Sequence, residues 1–186
     1  MLKIRNQAPA VTHRALVEAC RRGDPNAQRR LYEQYASAMF TICMRMTNQR
    51  DEAEDILQEA FCDAFRKIES FKGESTFGAW LKRIVINRSI NYLKKKRLDW
   101  VSLEGRDFRE EEEGAEAEMS IHWEVQKVHR GIQALSDGFR MVLTLYLIEG
   151  YDHGEIAEIL NISESTSKSQ YNRAKKKLLK ILQTEN

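Results

Sequence analysis

Apolar residues recur every three or four positions through most of the chain, the spacing of amphipathic helices rather than strands. Leu31, Tyr35, Ala38, Ile42 and Met46 share one face of a first long stretch. Asp24 followed by Pro25 suits its start, since aspartate caps a helix and proline is tolerated in the first turn. A second stripe, Ala53, Ile56, Leu57, Ala60, Phe61, Ala64, Phe65 and Ile68, is unusually regular. The opposite face of that helix carries Asp51, Glu52, Glu54, Asp55, Gln58, Glu59 and Asp63. A loop over 69–75, containing Gly73, leads to Phe77, Trp80, Leu81, Ile84, Val85 and Leu93, the apolar positions of a helix that grows steadily more basic.

Between Leu98 and Ser120 the periodicity fails; Gly105, Gly114 and the acidic run Glu110 to Glu113 predict a solvated linker. Helical spacing resumes with Val125, Val128, Ile132 and Leu135. Ser136 and Asp137 are suited to cap the next helix, whose Val142, Leu145 and Tyr146 are expected inside, and Gly150 to close it. A short helix over 152–160 follows, with Ile156, Ala157 and Leu160 inward. Asn161 and Ile162 form a tight turn, and Ser163 caps a last helix. The prediction is an all-α protein of two small helical domains joined by a flexible acidic linker. Its expected parts are an N-terminal extension (1–20), a first domain (21–98), the linker (99–120) and a second domain (121–186).

Composition narrows the class. Charged residues make up 31% of the chain, and no apolar run approaches the ~20 residues that span a bilayer. Residues 1–10 lack the apolar segment of a secretory signal, so an intracellular setting without membrane insertion is expected. Cys20, Cys43 and Cys62 are odd in number and far apart, and each lies in an apolar helical pattern, so buried reduced thiols are expected. His13, His122, His129 and His153 show no metal-ligand spacing, and no cofactor is expected. The net charge of +2 hides a strong segregation. Residues 82–97 carry only basic charges, residues 104–118 are mostly acidic, and residues 168–180 are basic again, which suggests two nucleic-acid contacts on a tether.

The stretch 151–182 is the most informative. A short helix, a turn, a serine cap and a basic second helix form the pattern of a helix-turn-helix, with the small Ala157 allowing close approach of the two helices. Ser165, Thr166, Lys168, Ser169, Asn172 and Arg173 stand where side chains reach base edges and phosphates in a major groove. Lys175, Lys176 and Lys177 suit phosphates, which strengthens binding without choosing sequence.

Here the chain resembles a family. The segment EGYDHGEIAEILNISESTSKSQYNRAKKKL is similar to region 4 of the extracytoplasmic-function (ECF) sigma factors of bacterial RNA polymerase. Independently, DEAEDILQEAFCDAFRKIESFKGESTFGAWLKRIVINRSINYLKKKR resembles region 2 of the same family. Ser167, Gln170 and Tyr171 depart from the aliphatic or basic residues usual there.

The resemblance implies a protein that directs core polymerase to promoters and opens the strands. The partners it implies are the polymerase beta-prime and beta subunits, promoter DNA and an anti-sigma factor. Asp51, Glu52, Asp55, Gln58 and Glu59 match the surface that docks on the beta-prime clamp helices. Lys72, Ser75 and Thr76, in the loop 71–77, match the element that captures a base flipped from the minus-ten motif. Lys82, Arg83, Asn87, Arg88, Asn91 and Lys94 then suit the melted strand and its phosphates. Ser165, Thr166, Lys168, Ser169, Asn172, Arg173 and Lys176 would read the minus-thirty-five element. Trp80 is expected in the core rather than stacked on a base.

No phosphate-cradling glycine loop, nucleophile triad or metal cluster appears in the sequence, so no enzyme is expected. Two other readings stay open: an ordinary helix-turn-helix regulator with a sensing domain, and a sigma mimic that binds its partner without opening promoters.

Overall fold

A computed structural model describes residues 13–101 and 121–184, with side chains over 13–96 and 125–184. The described residues form helices and no strands. The N-terminal part comprises α1 (His13–Arg21), α2 (Pro25–Thr47), α3 (Arg50–Arg66), a 3-10 turn (Ile68–Ser70) and α4 (Phe77–Val101). The C-terminal part comprises α5 (Ile121–Gln133), α6 (Asp137–Leu143) with a π turn (Thr144–Ile148), α7 (His153–Leu160) and α8 (Glu164–Thr184). Of the expected linker, positions 99–101 continue α4, and the acidic run lies outside the described residues.

Local chemistry sets several boundaries. The Asp24 carboxylate accepts from the amides of Asn26 and Ala27, and Pro25 occupies the first turn of α2. Asn48, at φ 57°, ends that helix in the left-handed conformation that asparagine tolerates. Ser136 precedes α6 but makes no capping hydrogen bond with its side chain, contrary to expectation; Asp137 pairs instead with Arg140.

Helices α2, α3 and α4 pack around Leu31, Met46, Ile56, Leu81, Ile86 and Ile90, all fully buried. Truncating one such side chain costs about 2–5 kcal/mol. The expected domain start at residue 21 falls inside α1, whose Leu16, Val17 and Cys20 are buried in this same core. Trp80 is half-buried against Phe71 and Phe77, with ring centroids 5.4 and 5.5 Å away.

On α3 two neighbouring residues exchange their expected places. Cys62 is exposed, whereas Asp63, read as part of the solvated face, is buried. The cause is Arg88 of α4, whose guanidinium draws the Asp63 carboxylate inward. Arg66 adds a second contact to Asp63 at 2.8 Å. On α2, Ala38 is exposed and Met39 and Cys43 fill the core instead.

In the C-terminal part, Ile132, Leu135, Leu143, Ala174 and Leu178 form the core between α5, α6 and α8. Gly131 permits the approach of α5 to α8: a Cβ there would lie 2.7 Å from the Leu178 side chain. Ala157, expected to serve that role between α7 and α8, is only half-buried. Val125 and Val128, expected inside, are 49% and 39% exposed, and Lys127 is the buried residue of that turn. Tyr146, also expected inside, lies at the surface beside His153 and Tyr171, with ring centroids 4.6 Å from each. The π turn explains this shift, because its wider winding rotates Tyr146 out of the apolar stripe while Leu145 stays buried.

The two parts pack directly on one another. Val142, Leu145, Ile156 and Leu160 extend the N-terminal core. Arg140, buried on α6, donates to the carbonyls of Met46 (3.1 Å) and Thr47 (3.3 Å) at the end of α2. Its other donors reach Gln133 O, Leu135 O and Asp137, so every guanidinium hydrogen has a partner. The Glu149 carboxylate, with its side chain 5% exposed, accepts Arg45 and Lys82 at 3.3 Å each.

Candidate nucleic-acid interface

The helix-turn-helix is built by three local devices. Asp152 and Glu155 form a reciprocal capping box at the start of α7. Asn161, at φ 56°, turns the chain. The Ser163 hydroxyl accepts from the Thr166 amide at 3.0 Å and so starts α8. These orient α8 with Ser165, Lys168, Ser169, Asn172, Arg173 and Lys176 in solvent, and Thr166 half-buried. Lys168 pairs with Glu164 at 2.6 Å, and that hydrogen bond raises its pKa above the ordinary lysine value.

The residues that depart from the family pattern make a local set of contacts. Ser167 is fully buried, its hydroxyl 2.9 Å from His153 Nδ1. The Tyr171 ring meets His153 edge-on at 5.5 Å. Where an aliphatic side chain would supply only packing, these residues fix α8 on α7 through a polar contact and aromatic faces.

The second surface lies on the N-terminal part. Gly73, at φ 77°, makes the sharp bend of the loop 71–77, a conformation costly for residues with a Cβ. Lys72, Ser75 and Thr76 are exposed, and the Thr76 hydroxyl accepts from the Ala79 amide at 3.2 Å, which starts α4. The loop borders a cavity of about 420 Å³. Along α4, Arg83, Asn87 and Asn91 are exposed.

The other three of the six expected positions on α4, all basic, are engaged. Lys82 binds the Glu149 carboxylate and carbonyl and lies over the Tyr151 ring. Burial, the largest influence, pushes the Tyr151 phenol above its ordinary value, against the lowering effect of Lys82. Lys94 donates to the Leu160 carbonyl at 2.9 Å. Arg88 pairs with Asp63 and with Glu59 at 3.1 Å.

On α3, Asp51, Asp55, Gln58 and Glu59 are exposed on the expected face. Glu52 departs from them: it turns toward α4 and pairs with Lys96 at 2.5 Å. Sequence reasoning missed the groove of about 330 Å³ beside this face, where Tyr32 and Phe40 of α2 meet Arg50, Glu54 and Gln58 of α3. Its signal was Tyr32 and Phe40, which lie off the α2 apolar stripe. Burial pushes the thiols of Cys20 and Cys43 up to about 11 and about 12, so both stay protonated and inert near neutrality. Among the described residues no group of histidine, cysteine or acidic side chains is arranged to hold a metal ion. No helix there is long and apolar enough to cross a membrane.

An all-helical pair of units, one ending in an exposed basic helix-turn-helix and the other carrying a basic helix beside a loop, defines a DNA-binding transcription protein. The family model described as Sigma-70 region 2 matches residues 31–98, and that described as Sigma-70, region 4 matches residues 126–178. The chain is 33% identical over 178 residues to the RNA polymerase sigma-H factor of Pseudomonas aeruginosa, covering 90% of this chain and 92% of that one. It is 32% identical over 177 residues to the ECF RNA polymerase sigma-E factor of Escherichia coli K12, with coverage of 89% and 91%.

In fold it is similar to the sigma factor RpoE of Bartonella quintana, solved in complex with the anti-sigma factor NepR (TM-score 0.59, 22% identity, 85% of this chain and 98% of that one). It is also similar to CnrH, solved in complex with the cytosolic domain of CnrY (TM-score 0.53, 21% identity, 93% and 98%). The chain belongs to the ECF sigma factors of RNA polymerase. Its function is promoter-specific initiation of transcription, with core polymerase and promoter DNA as its partners.

Proposed function

We propose that the division of labour within this sigma factor follows its exposed faces. Asp51, Asp55, Gln58 and Glu59, with the neighbouring aromatic groove, dock on the beta-prime clamp helices, where carboxylates meet arginine side chains. Glu52 supports this face from behind through Lys96. The loop bearing Lys72, Ser75 and Thr76 receives a base flipped from the minus-ten element, because a base must leave its stack to be read in a pocket. Arg83, Asn87 and Asn91 track the unpaired strand, joined by Lys82 and Lys94 once the two parts separate. The exposed face of α8, including Ser165, Thr166, Lys168, Ser169, Asn172, Arg173 and Lys176, reads the minus-thirty-five duplex from the major groove.

Opening is driven by binding to the unstacked strand, the polymerase supplies the chemistry, and this chain is a cytoplasmic regulator rather than an enzyme. An anti-sigma factor controls it by covering the docking and DNA faces. The observation that carries this reading is one chain presenting an exposed basic helix-turn-helix together with a loop-bordered cavity beside a basic helix.

The test is run-off transcription from a genomic promoter library, with core polymerase alone and with the chain added. Starts sharing two upstream motifs, present only with the chain, are expected. Arg173→Ala should relax the upstream motif and Ser75→Ala the downstream one. Core binding with no new starts would instead support the mimic reading, and no core binding an ordinary regulator.

A further inference from the structure

Helix α1 lies outside both matched segments, which begin at residues 31 and 126. It is firmly held all the same. Leu16, Val17 and Cys20 are buried in the N-terminal core. The helix ends directly after Arg21, where the Gly23 amide donates to the Cys20 carbonyl at 2.9 Å and the Asp24 amide to the Ala19 carbonyl at 3.1 Å. Such paired bonds satisfy the last carbonyls of a helix and fix its final turn. From that turn the Arg21 side chain crosses to another element: its Nη2 donates to the Phe71 carbonyl, 50 positions along the chain.

We propose that Arg21 is a positioning residue for strand capture. By holding the Phe71 carbonyl it sets the course of the loop 71–77, and with it the discrimination of this sigma factor at one minus-ten base. The inference rests on the reading of that loop as the base-capturing element, and adds to it a residue outside the matched segments.

The loop has little of its own to hold it. Phe71 and Phe77 are buried with their rings edge to face at 5.7 Å, and they pin its two ends. Residues 72–76 between them are exposed. The other hydrogen bonds of the loop are local: the Phe71 amide to Ile68 O at 3.2 Å, the Ser75 hydroxyl to Thr76 O at 3.4 Å, and the Ala79 amide to Thr76 Oγ1 at 3.2 Å. The strap from Arg21 comes from a different helix. A peptide unit is planar, so anchoring the Phe71 carbonyl also orients the Lys72 amide bonded to it. Gly73 follows at once and is permissive, so the direction of the chain must be set before it.

The strap is itself aimed. Glu18, one turn back on α1, holds the guanidinium through Nη1 at 2.6 Å. The Arg21 side chain is only 25% exposed, so water screens these bonds less than at an open surface. A charged donor also makes a stronger bond to a carbonyl than a neutral one. With Nη1 on a carboxylate and Nη2 on a carbonyl, the guanidinium is already occupied in the free chain.

The experiment uses holoenzyme assembled from core polymerase and the full chain, on promoters carrying each of the four bases at every minus-ten position. Arg21→Met, Arg21→Lys, Glu18→Gln and the loop variant Ser75→Ala are compared with the wild type. Val17→Ala, a core change on the same helix that keeps Arg21, controls for general loosening, and thermal melting is recorded for all. Arg21→Met should cut the preference for the best base about tenfold at one position, the position where Ser75→Ala acts. Its affinity for upstream duplex and the salt dependence of its binding should match the wild type. Arg21→Lys keeps a charged donor and should lie nearer the wild type. Glu18→Gln should lose about twofold and add nothing to Arg21→Met, because it acts through Arg21.

A fall in salt dependence by about one phosphate contact in Arg21→Met would reveal a direct contact with the strand and overturn the inference. So would an equal loss of preference in Val17→Ala, or an Arg21→Lys no better than Arg21→Met. If Ser75→Ala shifts the preference while Arg21→Met matches the wild type, the inference fails and the loop reading stands. If Ser75→Ala has no effect, the loop reading fails and the inference with it.

Discussion

On α8 the side chains proposed to meet DNA, all but the half-buried Thr166, stand in solvent, whereas on α4 three of the six already bond to protein. The contrast follows from position in the fold. Helix α8 is the last helix and packs along one side only, against α5, α6 and α7. Helix α4 is central: it packs on α2 and α3, and its basic side chains reach the C-terminal part. A lysine or arginine paired with a buried carboxylate gives up that bond before it neutralises a phosphate, whereas the Lys168–Glu164 pair on α8 is exposed and confined to one helical turn. The engaged residues are also of two kinds. Arg88 is tied to Asp63 and Glu59 within the N-terminal part, so it stays engaged whatever the C-terminal part does. Lys82 and Lys94 are tied across the junction and become available when the two parts separate. One proposed DNA face is thus open in the free chain, and the other depends on the junction.

The comparison is broken most severely at Arg140. Arg140→Met leaves the Met46 and Thr47 carbonyls unanswered inside the junction, and a loss of about 3–5 kcal/mol is expected in denaturant unfolding. The radius of gyration from small-angle X-ray scattering should rise as the parts separate.

Next comes the open face. Arg173→Ala on α8 should cost about 1–3 kcal/mol if the side chain reads a base, measured as affinity of the holoenzyme for upstream duplex. Lys176→Ala should weaken binding evenly across sequences and reduce the salt dependence by about one phosphate contact.

Glu149→Gln acts on the covered face. By releasing Lys82 and Arg45 it should raise the affinity of the free chain for single-stranded minus-ten oligonucleotide about tenfold, by enlarging the competent fraction. The same change should leave holoenzyme affinity unaltered, because the junction is then already open.

The smallest effect concerns the thiols. Their folded values of about 11 and about 12 exceed the ordinary 9.0. The stability that Cys20 and Cys43 contribute is therefore complete below pH 9 and is lost as pH rises toward those values. Thermal melting across that range should show a decline that Cys43→Ala reduces. At neutral pH a thiol reagent should modify Cys62 alone among the three.

Much of this was legible in the sequence where a residue's role is local. The helices, the Asp24 and Ser163 caps, the turn at Asn161 and the exposed polar face of α8 all follow from spacing and side-chain chemistry within a few residues. What escaped depends on partners distant in the chain. Asp63 is inside because of Arg88, 25 positions away, and Cys62 is outside as a consequence. Glu52 faces Lys96 across 44 positions, and Lys82 faces Glu149 across 67. The outward turn of Tyr146 depends on a π turn that periodicity at 3.6 residues cannot reveal. Most of helix α1 falls in the expected N-terminal extension, yet Leu16, Val17 and Cys20 lie in the core, because α1 packs on α2 and on the 3-10 turn some 50 positions further along the chain.

The most direct test of the covered-face account is the distance between the two parts in the free chain. A spin or fluorescent label at the exposed Cys62 would be paired with a second on α8 at Leu179→Cys, in the wild type and in Arg140→Met, each with and without core polymerase. The account predicts a single short distance in the free wild type, a longer one in Arg140→Met, and a longer one in both on core polymerase. A free wild type already as extended as Arg140→Met would contradict it.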